Sequence, residues 1–308
     1  MSKGIIIKGR RITTPVVLST YGGHWGTGLM PIALSPRYVK FMNLIRETGT
    51  TQLAKSSTAY CHRGKFLWYD PRTWKNVQPI GRNRRSLLNS FGHTNLGLSL
   101  NLRFIRIAIV WGFKVIVNFA PDFSKSSEEV IAEALFAVAI SKKILGDYFV
   151  AIEIVPSCGN RKYCVSATAG PTADIIRAIK KVFPEIIVMV KKNKDHKTED
   201  VIEWEMAGMD ILHGINTVFF ETVYPGWESP LADVGGGCIS GEDITKIALE
   251  DNLKSRKATK AFMIFGGGNM TVDDIQRCFD CGADSASICT VASIDTPEAE
   301  KIIRMFNS

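Results

Sequence analysis

The sequence predicts an α/β fold, a (β/α)8 TIM barrel with a short N-terminal β-hairpin and an insertion after the second strand. Three observations carry this expectation. Eight short apolar runs, several rich in Val and Ile, recur along the chain with little polar alternation, as expected of parallel strands buried on both faces. Longer segments of helical periodicity separate them. The 308 residues hold the roughly 250 of such a barrel with some to spare.

Taken in order, "GIIIKGRRIT" (4–13) reads as the hairpin, and "PVVLST" (15–20) and "TTQLAK" (50–55) as the first two strands. The long stretch 60–86 is the insertion. "KVIVNFA" (114–120) is the third strand, followed by a helix over 126–145 with acidic residues early and lysines late, which suits the helix dipole. After the fourth strand, "VAIEIV" (150–155), a helix over 170–183 places Pro171 near its start, where a missing N–H does no harm. The remaining strands are "IIVMVK" (186–191), "DILHGINTV" (210–218), "AFMIFG" (261–266) and "DSASIC" (284–289). A helix over 271–283 begins at Thr271 and stops at Gly282, an N-cap and a C-cap respectively. "EAEKIIRMFNS" reads as the eighth helix. A doubly wound open sheet is the alternative, but no Gly-x-Gly-x-x-Gly follows the first strand. With no solenoid period and no low-complexity linker, residues 1–308 are expected to form a single domain.

Composition narrows the function classes. The chain is 45% hydrophobic and 22% charged, enough for a sizeable core. No apolar run approaches the roughly 20 residues of a membrane span, and "MSKGIIIKGRR" is not a secretion signal. Seven cysteines at irregular spacing do not make a disulfide framework, so a reducing cytoplasm is the expected location. The net charge is +8. Its clusters "GRNRR" (81–85) and "KKNK" (191–194) read as solvated surface rather than a nucleic-acid interface, while the positive field favours an anionic substrate or cofactor.

Active sites of such barrels lie at the C-terminal ends of the strands. Cys158, Lys55, Lys191, the Asn216–Thr217 pair and the glycines 266–268 all follow predicted strands there. "FGGGN" (265–269) and "SICTVAS" (287–293) close the seventh and eighth strands before helical segments, a phosphate-binding arrangement. Lysines at strand ends commonly snorkel to solvent, but two facing one mouth could instead stabilise an anionic ring. Asn89, Asn160 and Asn216 come from separate segments, and amides both donate and accept, which suits a planar ligand of alternating carbonyl and N–H groups. "CFDC" (278–281) lies on a predicted helix with no second pair, so it reads as packing; no metal is expected.

Along nearly its full length, in order, the chain resembles the dihydroorotate dehydrogenases. "KSST" (55–58) and "NSFGHTNLG" (89–97) are similar to segments of the soluble, fumarate-using class, and "VPSCGN" (155–160) to its cysteine loop. "VK" (190–191), "INT" (215–217), "GCISG" (237–241) and "GGG" (266–268) fall where the family has later flavin and substrate motifs. The resemblance implies FMN as cofactor. It implies Cys158 as the base that removes the C5 proton of dihydroorotate while hydride passes from C6 to the flavin. Thr20, Lys55, Ser56, Lys191, Gly241, Gly267, Gly268 and Thr290 would hold the FMN. Asn89, Asn160, Asn216 and Thr217 would bind the pyrimidine, and Ser157 is a structural neighbour. A small-molecule acceptor such as fumarate and a homodimer are implied as well. No iron–sulfur spacing is present, so a route to NAD would need a separate protein.

The sequence departs from the family at several places. Val155 stands where the first Asn of the cysteine loop is expected, Pro156 and Gly159 shift the proline, and Tyr21 and Phe265 replace glycines. Asn269 and His93 are also unusual. These departures keep open a paralogue that uses FMN on another C–C bond adjacent to a carbonyl. A tRNA dihydrouridine synthase would carry a helical domain after the barrel, which is not expected here. A non-catalytic flavin-binding protein would need no base.

Overall fold

The computed structural model describes residues 4–21, 23, 35–67, 69–156 and 165–308. In chain order the strands are β1 (Ile6–Ile7), β2 (Arg10–Arg11), β3 (Val16–Ser19), β4 (Thr51–Leu53), β5 (Val77–Ile80), β6 (Ser86–Asn89) and β7 (Lys114–Phe119). They continue as β8 (Ala151–Ile154), β9 (Ile187–Lys191), β10 (Ile211–His213), β11 (Val218–Phe219), β12 (Cys238–Gly241), β13 (Phe262–Phe265) and β14 (Ser285–Ile288). Strands β3, β4, β7, β8, β9, β10, β13 and β14 pair in that order, all parallel, and β14 pairs back onto β3 to close the barrel. Each predicted strand supplies one stave. The β1–β2 hairpin and the insertion after the second stave are present as expected.

Helices return the chain between staves. They are α1 (Pro36–Glu47), α2 (Leu98–Val110), α3 (Ser127–Leu145), α4 (Ala169–Val182), α5 (Thr198–Met206) and the short α6 (Phe220–Val223). The series ends with α7 (Thr245–Ala258), α8 (Val272–Asp280), α9 (Thr290–Ile294) and α10 (Thr296–Asn307). Side-chain capping sets the starts of α3 and α8. Ser126 and Glu129 exchange hydrogen bonds in a capping box ahead of α3, and Thr271 and Asp274 do the same for α8, each satisfying N–H groups that have no acceptor inside the helix. No described helix is long and apolar enough to cross a membrane.

The sixth predicted run divides in two. Only Ile211–His213 joins the barrel, and Val218–Phe219 leaves it to pair antiparallel with β12. The break falls at Gly214, where a Cβ would lie 1.9 Å from Asn252 Oδ1. The insertion also reaches further than expected. Its β5–β6 hairpin joins β12 and β11 in a four-stranded sheet over the barrel mouth.

Inside the barrel, side chains two residues apart face the same way. The lower layer is apolar: Val17, Leu53, Ile116, Ala151, Met189, Ile211 and Ile264 form one buried cluster, closed from below by Ile5 and Ile12 flanking the hairpin. Two residues on along these seven strands come Ser19, Lys55, Asn118, Glu153, Lys191, His213 and Gly266. The barrel interior is therefore mainly apolar at its base, where Ser285 of β14 bonds to Thr13, and polar at its mouth.

His196, in the β9–α5 loop, steadies that mouth. Its Nδ1 accepts from the Asn193 N–H at 3.1 Å, its Nε2 lies 3.1 Å from Thr168 Oγ1, and its ring meets Trp204 edge-on. Burial, helped by the nearby Lys192 charge, pushes its pKa down to about 3. The unfolded chain takes up this proton near pH 6.5 and the folded chain does not, so stability falls as pH drops below about 6.5. Urea midpoints are expected to show His196→Gln losing less stability than the parent between pH 7 and pH 5, by about 2 kcal/mol. An unchanged pH slope would contradict this.

Candidate active site

The polar layer at the mouth starts with a charge that has no access to water. Glu153 is 0% exposed. Its Oε1 lies 2.6 Å from His213 Nδ1, and Asn118 Nδ2 donates to its Oε2. His213, 1% exposed, places its Nε2 2.8 Å from Ser287 Oγ. Lys191, on the stave between them, donates from Nζ to Ser19 Oγ at 3.0 Å. Burial holds His213 below its usual range, with Lys191 adding to the effect against the pull of Glu153. Against the cost of burial, His213, Lys191 and Asn118 keep Glu153 in its carboxylate form. A buried carboxylate survives only with such partners.

Above this layer lies a cavity of about 430 Å³, within the range of cofactor sites. It draws together the described residues that the sequence singles out. Thr20, Lys55, Ser56 and Lys191 line the barrel side. Gly241, Gly267, Gly268 and Thr290 line the end formed by β12–β14 and α9. Asn89, Asn216 and Thr217 line the wall made by the insertion sheet and the β10–β11 turn. Cys158 and Asn160 lie outside the described residues, as does Ser157. The chain runs toward them from Val155 and Pro156, just past the end of β8.

Local folding explains these placements. Gly268 passes Thr245 so closely that a Cβ would stand 2.4 Å from the Thr245 Cα, at φ +76, a conformation open to glycine. Thr290 opens α9 and its hydroxyl donates to Ser240 Oγ at 2.9 Å. The N–H groups of Thr290 and Val291, at its very start, have no acceptor within the helix. Thr20 holds φ +53 beside the cavity, a strained conformation for a β-branched residue. Lys55 Nζ donates to the Thr94 carbonyl, tying the second stave to the insertion.

The cluster 191–194 departs from the expectation of solvated surface. Lys191 and Lys192 are 8% and 3% exposed, the second paired with Asp251. Of the departures from the family pattern, Tyr21 lines the cavity and packs on Tyr38 and Phe41, whereas Phe265 is fully buried in the core around the barrel. Asn269 ties β13 to β14, donating from Nδ2 to the Phe265 and Ser287 carbonyls and accepting from Cys278 Sγ. His93 lines the cavity at φ +60. Val155 is 3% exposed and forms part of the same wall.

Sequence reading missed Glu153, His213, Ser287, Asn118 and Ser19. Their signal was present. Each is a polar residue two positions after an inward-facing residue of the lower barrel, where a strand buried on both faces should hold an apolar one.

Residues 55–308 match the family model described as dihydroorotate dehydrogenase. The chain belongs to the dihydroorotate dehydrogenase family. Members are oxidoreductases acting on CH–CH groups, and this chain is an enzyme of that kind. It is 26% identical over 240 residues to the dihydroorotate dehydrogenase B (NAD(+)) catalytic subunit of Halalkalibacterium halodurans, covering 75% of this chain and 74% of that one. The Listeria welshimeri protein of the same description is 25% identical over 245 residues, 78% of this chain and 77% of that one. These relatives are named for NAD(+), not for the fumarate of the class that the motifs resemble. A solved structure, DHODH from Eimeria tenella in complex with ferulenol, shares the fold with a TM-score of 0.69 at 15% identity, over 99% of this chain and 83% of that one.

The glycine loop gives a direct test of the cavity's construction. Gly268→Ala is expected to lower stability by more than about 2 kcal/mol, from strain at positive φ and the clash with Thr245. Thermal unfolding of the variant checks this, and a loss below about 0.5 kcal/mol would contradict the close approach.

Proposed function

We propose that this chain is an FMN-dependent dehydrogenase that oxidises dihydroorotate to orotate, in a reducing cytoplasm. The observation that supports it best is the cavity itself. Buried cationic and hydroxyl groups form its floor, a glycine turn and the start of α9 its far end, and amides its wall. That donor set fits FMN: the Gly267–Gly268 turn and the start of α9 suit its phosphate, and Lys191 and Lys55 its ring and ribityl chain.

FMN, when bound, supplies the hydride acceptor. The chain's own residues do the rest. Lys191, held by Ser19, would hold the ring of bound FMN with a fixed positive charge. Asn89, Asn216 and Thr217, with Asn160, orient the pyrimidine by hydrogen bonds. Cys158 removes the C5 proton as hydride leaves C6; its thiolate is a usable base because a thiol's reference pKa of about 8.5 lies near neutrality. The relatives' description as catalytic subunits for NAD(+) favours electron transfer to a partner subunit over fumarate as acceptor, with a homodimer of this chain as the core.

Val155 favours a second reading. It offers no amide to a pyrimidine, and an unmade buried hydrogen bond costs about 1–3 kcal/mol. Val77, Pro79, Leu87 and Phe91 add an apolar wall to the cavity. A paralogue acting on a less polar substrate, at a C–C bond next to a carbonyl, fits these features.

Adding dihydroorotate to the purified yellow protein without oxygen is expected to bleach its visible spectrum. Cys158→Ala should retain FMN and bleach at least about 100-fold more slowly; an undiminished rate would overturn the base assignment. Val155→Asn should tighten orotate by about tenfold. A protein that dithionite bleaches and dihydroorotate does not would favour the paralogue.

A further inference from the structure

The chain of Glu153, His213 and Ser287 has a direction. Glu153, as a carboxylate, can only accept at 2.6 Å, so His213 carries its proton on Nδ1. The neutral ring then leaves Nε2 as an acceptor, and the partner at 2.8 Å, Ser287 Oγ, must donate to it. Once its hydrogen is committed to Nε2, the Ser287 oxygen has only lone pairs left. Ser287 lines the cavity.

We infer that this chain is a positioning relay that fixes the Ser287 hydroxyl as a hydrogen-bond acceptor toward the cavity, selecting a ligand edge that carries an N–H or O–H donor. His213 and Glu153 are positioning residues, since they act through Ser287. A carbonyl at the same place would face lone pairs and be rejected. The ligand side of the inference rests on FMN occupying the cavity; oxidised FMN offers the N3–H of its ring and the hydroxyls of its ribityl chain as matching donors.

The described groups that bond to or act on His213 maintain this polarity. From β8, Glu153 accepts the Nδ1 proton, and from β7, Asn118 donates to the far carboxylate oxygen. From β9, Lys191 opposes a second proton on the ring. From β14, Ser287 fills Nε2. Beyond the last residue of β13, Gly266 presents bare backbone, because a Cβ there would lie 2.7 Å from Ser287 Oγ and 2.9 Å from His213 Nε2. A protonated His213 would donate from both nitrogens and turn the Ser287 hydroxyl into a donor toward the cavity.

Two measurements test the relay. In ¹⁵N NMR of the intact protein, His213, assigned by its loss in His213→Gln, is expected to be the neutral Nδ1–H tautomer at pH 7. An imidazolium or an Nε2–H tautomer would overturn the inference. The second is a double-mutant cycle on FMN affinity. Ser287→Ala and Glu153→Gln should each weaken FMN by about threefold to tenfold, and the double variant should be no weaker than the worse single. Glu153→Gln acts here by freeing the ring to take the other tautomer. Multiplying effects would show that Glu153 serves stability alone and would also overturn the relay. If Glu153→Gln does not fold, the Ser287→Ala affinity and the parent's tautomer decide. A parent that binds no FMN refutes the cofactor reading and leaves the relay to the tautomer measurement.

Discussion

A carboxylate without solvent at the centre of a barrel is the constraint on which the mouth of this protein depends. Glu153 is ionised there only because an imidazole, an amide and an ammonium converge on it from three other staves. Desolvating such a charge costs several kcal/mol that close pairing must offset. The requirement fixes the register of β7, β8, β9 and β10 relative to one another. A slip of one residue would turn these side chains out toward the helices. It also fixes the division of the interior, with the apolar layer below supplying the burial and the polar layer above supplying the site.

The same constraint links fold to chemistry. Lys191 is held within the layer by Ser19 and balances the nearby Glu153 carboxylate, so its ammonium is pre-oriented at the cavity. Preorganised charge of this kind needs little rearrangement when charge develops in a reaction. The insertion sheet completes the enclosure. Asn89 on β6 donates to the Cys238 carbonyl of β12, so a residue of the wall is positioned by a strand about 150 residues away in sequence. Val155 lines the cavity where the family pattern has an asparagine, so the described enclosure carries one polar group fewer there.

Much of this was legible in the sequence because parallel staves announce themselves as short Val- and Ile-rich runs, and all eight are where those runs place them. Capping by Ser126 and Thr271 was equally local and equally readable. The split of 210–218 was not, because the chain leaves the barrel just past Gly214, whose backbone passes too close to Asn252 for a Cβ, a close approach that periodicity does not encode. Nor was the four-stranded sheet, whose pairing joins distant segments. Within the site, lysines, asparagines and glycines at strand ends were found because they end apolar runs. Glu153 and His213 were passed over because they sit inside such runs, and only their two-residue offset from the apolar layer marks them. Asn269, odd against the family pattern, proves to be a tie between two staves and a helix.

The most direct test of this account is a crystal structure of the purified protein grown with FMN. The account predicts the ring resting on the layer of Lys191 and Ser287, with the phosphate at Gly267, Gly268 and the start of α9. Density for FMN elsewhere, or a ring separated from that layer by other side chains, would contradict it.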